Sequence, residues 1–183
     1  MLLALDTSTR YAGVALSNED RVVASHAWHS AYNHTSELMP SVANILEHCG
    51  VTVERLDGVA VALGPGGFSA LRVGISAAKG LALVAKKPII GVGTLDIEAH
   101  PYLDSGVYVC ALLEAGREEC ATALFDAKGI RVREDRVCTA DGLISEIKEK
   151  LDSPAIFCCE GVTAWRERIT TALDVRALLV RHT

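Results

Sequence analysis

The sequence predicts an α/β protein in which one βββαβαβ unit occurs twice, giving lobes at residues 1–101 and 102–183. Three observations lead there. Short β-branched runs alternate with longer segments of helical apolar spacing, the pattern of strands and helices taking turns. The order of segments in the second half repeats that of the first, although no residue-level repeat is visible. A chain of 183 residues, 50% of them hydrophobic, is also long enough to build two small cores. The second copy has no closing helix after its last strand, so the second lobe is expected to be short at its C-terminus.

In chain order, Leu2–Asp6, Ala12–Leu16 and Arg21–Ala27 read as strands. The connections Thr7–Arg10 and Ser17–Asp20 are short enough for antiparallel pairing. A helix follows, with Thr35 or Ser36 as its cap and Pro40 tolerated in its first turns. Leu38, Val42, Ile45, Leu46 and Cys49 form its apolar stripe, and Gly50 stops it. Asp57–Leu63 is a strand, Ser69–Lys86 a helix, Pro88–Val92 a strand, and Thr94–His100 a short helix closed by Pro101. In the second half Val107–Leu113, Glu119–Phe125 and Ile130–Cys138 read as strands, with a turn at Asp126–Gly129. Asp141–Leu151 is a helix, Ala155–Cys159 a strand, Val162–Leu173 a helix and Val175–Val180 a last strand before the chain stops at Thr183.

The most informative stretch is Leu63-Gly64-Pro65-Gly66-Gly67-Phe68-Ser69-Ala70-Leu71-Arg72-Val73-Gly74. Pro65 fixes one φ and the glycines admit positive φ, so the chain can turn sharply. Ser69 is placed to cap the helix after the turn. A strand, a glycine turn and a helix N-terminus together present backbone N–H groups to a phosphate or carboxylate. The same geometry serves a tight strand-to-helix connection that binds nothing. It is not a P-loop, because no Lys-Ser or Lys-Thr follows the last glycine at the required spacing.

In the helix after this turn, Ser69, Arg72, Ser76 and Lys79 make one narrow polar stripe, and the rest is apolar up to Lys86. A helix covering one sheet face needs an apolar arc of about 100°, and this one has more. Leu38, Val42, Ile45 and Cys49 on the first helix, and Leu71, Ile75, Ala78 and Ala82 on the second, are assigned to the sheet. That leaves Met39, Ala43 and Leu46, with Gly74, Ala77, Leu81 and Ala85, as surplus apolar surface. Such a surplus is half of a four-helix bundle, which small residues let close to about 8–10 Å between axes.

A net charge of −5 with scattered Lys and Arg argues against broad nucleic-acid binding. The densest basic group, Arg131, Arg133 and Arg136, alternates like the solvent face of a strand. Met1–Asp6 lacks a basic n-region and its apolar run is too short for a signal peptide. No window is read as reaching the roughly 18 apolar residues of a membrane helix, and a cytoplasmic location is expected. Six cysteines without a C-x-x-C pair, most of them in apolar strands, read as reduced, buried thiols, and no zinc site is expected.

A duplicated βββαβαβα unit is the architecture of the actin, sugar-kinase and Hsp70 superfamily, an actin-like (ribonuclease H-like) fold. Leu3–Thr9 through Gly13–Leu16 looks like that superfamily's first phosphate loop. Four segments carry a closer resemblance: His34-Thr35-Ser36-Glu37-Leu38-Met39-Pro40, Gly64 to Gly74, Ala78-Lys79-Gly80-Leu81-Ala82 and Gly91-Val92-Gly93-Thr94-Leu95. Together they resemble the bacterial TsaB (YeaZ) family, involved in making threonylcarbamoyladenosine beside the tRNA anticodon. The match runs in order from residue 1 to about residue 126. Leu113-Glu114-Ala115-Gly116-Arg117-Glu118-Glu119 is a degraded form of the family's Asp-Ala-Arg-x-Gly-Glu turn, from which Glu114 and Glu118 depart.

The resemblance implies a non-catalytic subunit without a cofactor, beyond weak nucleotide binding at a subunit interface. It implies the transferase TsaD and the ATPase TsaE as partners, with threonylcarbamoyl-adenylate supplied by a separate synthase. A homodimer is expected when the chain is alone, with tRNA met weakly or through partners, and no membrane. TsaD holds a metal with two histidines four apart, just after the strand matching Pro88–Val92. Residues near Thr94 and Glu98 take those places here and His100 is alone, so no metal is expected.

Asp6, Thr7 and Ser8, with Gly64, Gly66 and Gly67, are the candidates for a nucleotide-phosphate contact, as in kinases of this fold. The alternative is that Asp6 ends a strand and accepts hydrogen bonds from the Thr7–Thr9 turn. The competing function is a small ATP-dependent kinase or ATPase. A protease would need an activated nucleophile, and Ser69, Ser76 and the cysteines have no recognisable His partner in the sequence. No catalytic residue is assigned.

Overall fold

The computed structural model describes residues 1–19 and 21–180. Asp20, in the predicted turn 17–20, and the chain end at Thr183 lie outside the described residues. The chain divides into two units, Met1–Thr94 and Leu95–Thr183. The division falls at the head of the short helix that the sequence reading gave to the first lobe.

In the first unit β1 (Leu2–Asp6), β2 (Tyr11–Asn18) and β3 (Arg21–His29) form an antiparallel meander. β4 (Gly58–Ala62) and β5 (Ile89–Val92) add in parallel on the other side of β1, giving the order β3-β2-β1-β4-β5. Period-two alternation decides the faces. Leu3, Leu5, Val14, Leu16, Val59 and Val61 meet α1 (His34–His48) and α2 (Phe68–Ala85) through Leu38, Val42, Ile45, Leu46, Ala78, Leu81 and Ala82. Each fully buried Leu or Val contributes about 1.5–3 kcal/mol. β5 is outermost and leaves Ile89, Ile90 and Val92 exposed.

Both expected caps are displaced. α1 starts at His34 after Asn33, and the Ser36 hydroxyl donates to the Asn33 carbonyl at 3.0 Å instead of capping. α2 starts at Phe68 after Gly67 without a side-chain cap, so Ser69 lies inside the helix. By length and composition α2 could cross a bilayer, which corrects the sequence reading. In this fold it packs along β4 and α1, with Arg72 and Lys79 exposed.

The second unit holds β6 (Tyr108–Gly116), β7 (Glu119–Phe125), β8 (Arg136–Thr139), β9 (Ala155–Cys158) and β10 (Ala177–Leu179), in the order β10-β9-β6-β7-β8. Counted from the first strand of each unit, order and pairing sense are the same as in the first sheet. The duplication expected from the sequence is therefore present in the topology. α4 (Ala140–Lys150) and α5 (Gly161–Leu173) cover one face through Leu143, Ile144, Ile147, Val162, Trp165 and Ile169. The other face is covered by α3 (Thr94–Ala99) and the 3-10 segment His100–Ser105, through Leu95, Ala99, Tyr102 and Leu103. Pro101 opens that segment rather than ending the helix.

β8 is shorter than the Ile130–Cys138 strand expected. Before Arg136 the pairing is a single bridge, Phe125 to Arg131. The arginines explain why. Arg131 is ion-paired with Asp96 and Asp135 and lies 4.9 Å over the Phe125 ring. Arg133 meets Glu146 at 2.6 Å, and Arg136 pairs with the other oxygen of the same carboxylate. The group read as a solvent face is thus a set of half-buried ion pairs, and between the bridge at Arg131 and the start of β8 at Arg136 the chain follows these pairs rather than a continuous ladder.

Candidate functional site

The predicted phosphate-contact residues come together in the first unit, but around one another. Asp6 ends β1 and accepts hydrogen bonds from the Ser8 backbone N–H at 2.8 Å and the Ser8 hydroxyl at 2.6 Å. The Thr7 hydroxyl donates to the Ala70 carbonyl in the first turn of α2 at 2.7 Å. Thr7 and Ser8 are both buried. The glycine loop closes directly onto them, with Gly67 N–H donating to the Ser8 carbonyl at 2.9 Å. A Cβ on Gly66 would lie 2.2 Å from that same oxygen, so only glycine lets the two loops meet. Gly64 holds φ +107 and its carbonyl accepts from Thr94 N–H at 2.9 Å. Asp6, Thr7, Ser8 and Gly67 are therefore joined in a hydrogen-bonded seam against which Gly66 packs, with Asp6 accepting from its own turn as the alternative from sequence has it, while Gly64 bonds away from the seam to Thr94.

The seam extends into the helices. His34 is buried at the start of α1, with Nε2 3.0 Å from the Thr9 carbonyl. Glu37 receives the Trp28 indole N–H at 2.9 Å, and hydrogen bonds from Ser30 and Trp28 hold its carboxyl below the usual range. A groove of about 290 Å³ opens between the N-termini of α1 and α2, lined by Tyr32, His34, Thr35, Phe68, Ser69 and Val73. Guanidinium groups flank it, Arg10 at 4.9 Å from the Tyr32 ring centre and Arg72 at 3.9 Å from that of Phe68.

The corresponding turn in the second unit has no loop of this kind. β6 runs on to Gly116, and Arg117 and Glu118 make a two-residue hairpin turn with φ of +50 and +66. Glu118 is ion-paired with Arg168 of α5 at 2.5 Å.

Comparison with known proteins now bears on this geometry. The family model described as "TsaD: tRNA N6-adenosine threonylcarbamoyltransferase" matches residues 25–151. A Bacillus subtilis (strain 168) protein named tRNA threonylcarbamoyladenosine biosynthesis protein TsaB is 30% identical over 182 residues, covering 97% of this chain and 79% of the relative. The chain belongs to the TsaB family. The TsaB of Escherichia coli (strain K12) is 42% identical over 94 residues, which is 51% of this chain and 40% of that protein. The solved structure "YeaZ from Pseudomonas aeruginosa" superposes with a TM-score of 0.75 at 28% identity, covering 92% of this chain and 79% of the other. The fold is thus the two-lobed actin-like one.

Within this TsaB-family chain the predicted partner surface needs redrawing. Met39 and Ala43 on α1 are exposed, and Ala77 is half-buried. Leu46, Gly74, Leu81 and Ala85 are not surplus surface, because they are buried in the unit. The physical reason is that α2 packs on α1 as well as on the sheet, so two apolar faces are consumed rather than one. Gly74 is more constrained still, since a Cβ there would lie 2.4 Å from Thr7 Oγ1. The apolar residues that α2 does expose are Phe68, Leu83 and Val84, at 70%, 78% and 63%. Sequence reasoning missed all three. The signal was available: counting a second burial face toward α1 would have left these residues over.

At the positions matching the TsaD histidines, Thr94 is buried and Glu98 half-buried, while His100 is exposed on the 3-10 segment. Among the described residues no group of three His, Cys, Asp or Glu side chains comes together. All six cysteines are free, four of them buried and two half-buried.

Proposed function

We propose that the chain serves threonylcarbamoyladenosine formation on tRNA as a binding subunit rather than as the catalyst. The family supports the first half, since its relatives are named for that biosynthesis. One observation carries the second: the outward sides of α1 and α2 leave Met39, Ala43, Phe68, Leu83 and Val84 open. Exposed large apolar groups next to a stacked arginine are the composition of an interface core. The partner proposed is the TsaD-type transferase, with TsaE joining the assembly and a second copy of this chain taking the face when it is alone. A net charge of −5 favours tRNA contact through partners, and the site of action is the cytoplasm. The kinase or ATPase reading is less well supported, because Asp6, Thr7 and Ser8 already bond one another and α2.

The test uses Leu83→Asp and Ala43→Arg, both at exposed positions where the fold does not depend on the side chain. Circular dichroism should be unchanged, while light scattering and a TsaD pull-down show association lost. Folded variants that associate as the parent does would put the interface elsewhere.

A further inference from the structure

We propose that Cys120 and Cys138 are an oxidisable pair that closes to a reversible intramolecular disulfide. The two residues lie directly opposite each other on the antiparallel strands β7 and β8. Both side chains join the same apolar cluster, so both sulfurs are on the α4–α5 side of the sheet. The Ala140 N–H to Glu118 carbonyl bond, 3.0 Å, makes positions 118 and 140 a hydrogen-bonded pair, and alternation gives Cys120 and Cys138 the same geometry. Such a pair has Cα atoms about 5.5 Å apart, inside the roughly 4.4–6.8 Å that a disulfide spans. Its Cβ atoms stand somewhat wider than a relaxed disulfide prefers, so the strands must draw together. β8 permits this, being four residues long and outermost in its sheet. A bond formed against that resistance is readily reduced again.

Access sets the sequence of events. Cys120 is buried, whereas Cys138 is half-buried at the sheet edge with Arg136 two residues before it on the same face. Cys138 is therefore the sulfur that a dissolved oxidant reaches first. With a diazene oxidant such as diamide, the Cys138 thiolate adds to one nitrogen of the N=N bond. The Cys120 sulfur, losing its proton, then attacks the Cys138 sulfur; the S–S bond forms as the S–N bond breaks, and the diazene leaves as a hydrazine carrying two electrons and two protons. The competing pair, Cys158 and Cys159, has its sulfurs 3.9 Å apart, but both are buried. They are also chain neighbours, and closing that small ring strains the planar trans peptide between them.

The full chain is treated with diamide, desalted, denatured, and its thiols counted with Ellman's reagent. Two of the six thiols should be lost and regained with dithiothreitol, and peptide mapping should place the link between Cys120 and Cys138. Cys138→Ser should lose no thiol under the same treatment. Persistence of all six thiols in the parent, or a link mapped to another pair or between chains, overturns the proposal. The mapping decides the question even if the variant does not fold.

Discussion

Gly74→Ala would ordinarily stabilise a helix interior by about 1 kcal/mol. Here the new Cβ would sit 2.4 Å from Thr7 Oγ1, with the other Thr7 side-chain carbons at 3.6 Å. Thr7 is buried and its hydroxyl is committed to the Ala70 carbonyl at 2.7 Å, so it must turn away and lose that bond. The lost bond costs about 1 kcal/mol and the residual overpacking about 1–3 kcal/mol. Subtracting the helix gain leaves a net destabilisation of about 1–3 kcal/mol. In a Thr7→Ala background the clashing oxygen is gone and the nearest atom is a carbon at ordinary contact. Gly74→Ala should then turn stabilising, by up to about 1 kcal/mol. The assay is a double-mutant cycle by urea denaturation, with hydrogen exchange on β1 and α2 assigning the transition to the first unit. A Gly74→Ala effect of the same sign and size in both backgrounds would refute the seam as described.

Two further outcomes follow from side chains in or beside the second unit. Thr94 Oγ1 is buried without a hydrogen-bond partner, so Thr94→Val should hold or raise stability, by up to about 1–2 kcal/mol. A thermal melt showing a loss of that size would mean the hydroxyl is bonded in solution. Burial alone would raise the Glu146 carboxyl, but hydrogen bonds from Arg136 and Lys150 and the charges of Arg133 and Arg136 lower it to about 2 from 4.5. A lowered carboxyl contributes stability above its unfolded value and loses it as pH falls through the folded one. The deficit of Glu146→Gln, on the order of 1 kcal/mol at pH 7 after solvent screening, should therefore shrink between about pH 4.5 and 2. A denaturation midpoint gap that stays constant across that window would count against this ion-pair network.

The fold was legible because the apolar periods are clean. β1 and β7 match their predicted limits, and both sheets share the strand order that a duplicated unit requires. What the sequence hid was set by partners far away in the chain. Ser69 looks like a cap, but Gly67 is pinned to Ser8, so the helix begins one residue earlier. Arg131 and Arg133 alternate as strand residues do, yet Arg131 keeps only a single bridge beside its pair with Asp96, and Arg133 pairs with Glu146 outside β8. The site was half legible: the glycine segment and Asp6-Thr7-Ser8 were singled out together, and they do meet. That they meet each other depends on a backbone approach that spacing cannot show. On α2 a single-face helical wheel put Leu81 and Ala85 outside, and only a second burial face, counted toward α1, brings them in.

The position of β5 bears on how the molecule avoids its own kind. An outermost strand offers unpaired N–H and C=O groups to any extended chain, and one rich in Ile and Val invites stacking into aggregates. Nature blunts such edges by shortness, by charge and by proline, and all three occur here. β5 is four residues long and is led by Lys86, Lys87 and Pro88. Pro88 has no N–H to lend and the lysines repel a like neighbour. These three residues guard one of the two open margins of the first sheet.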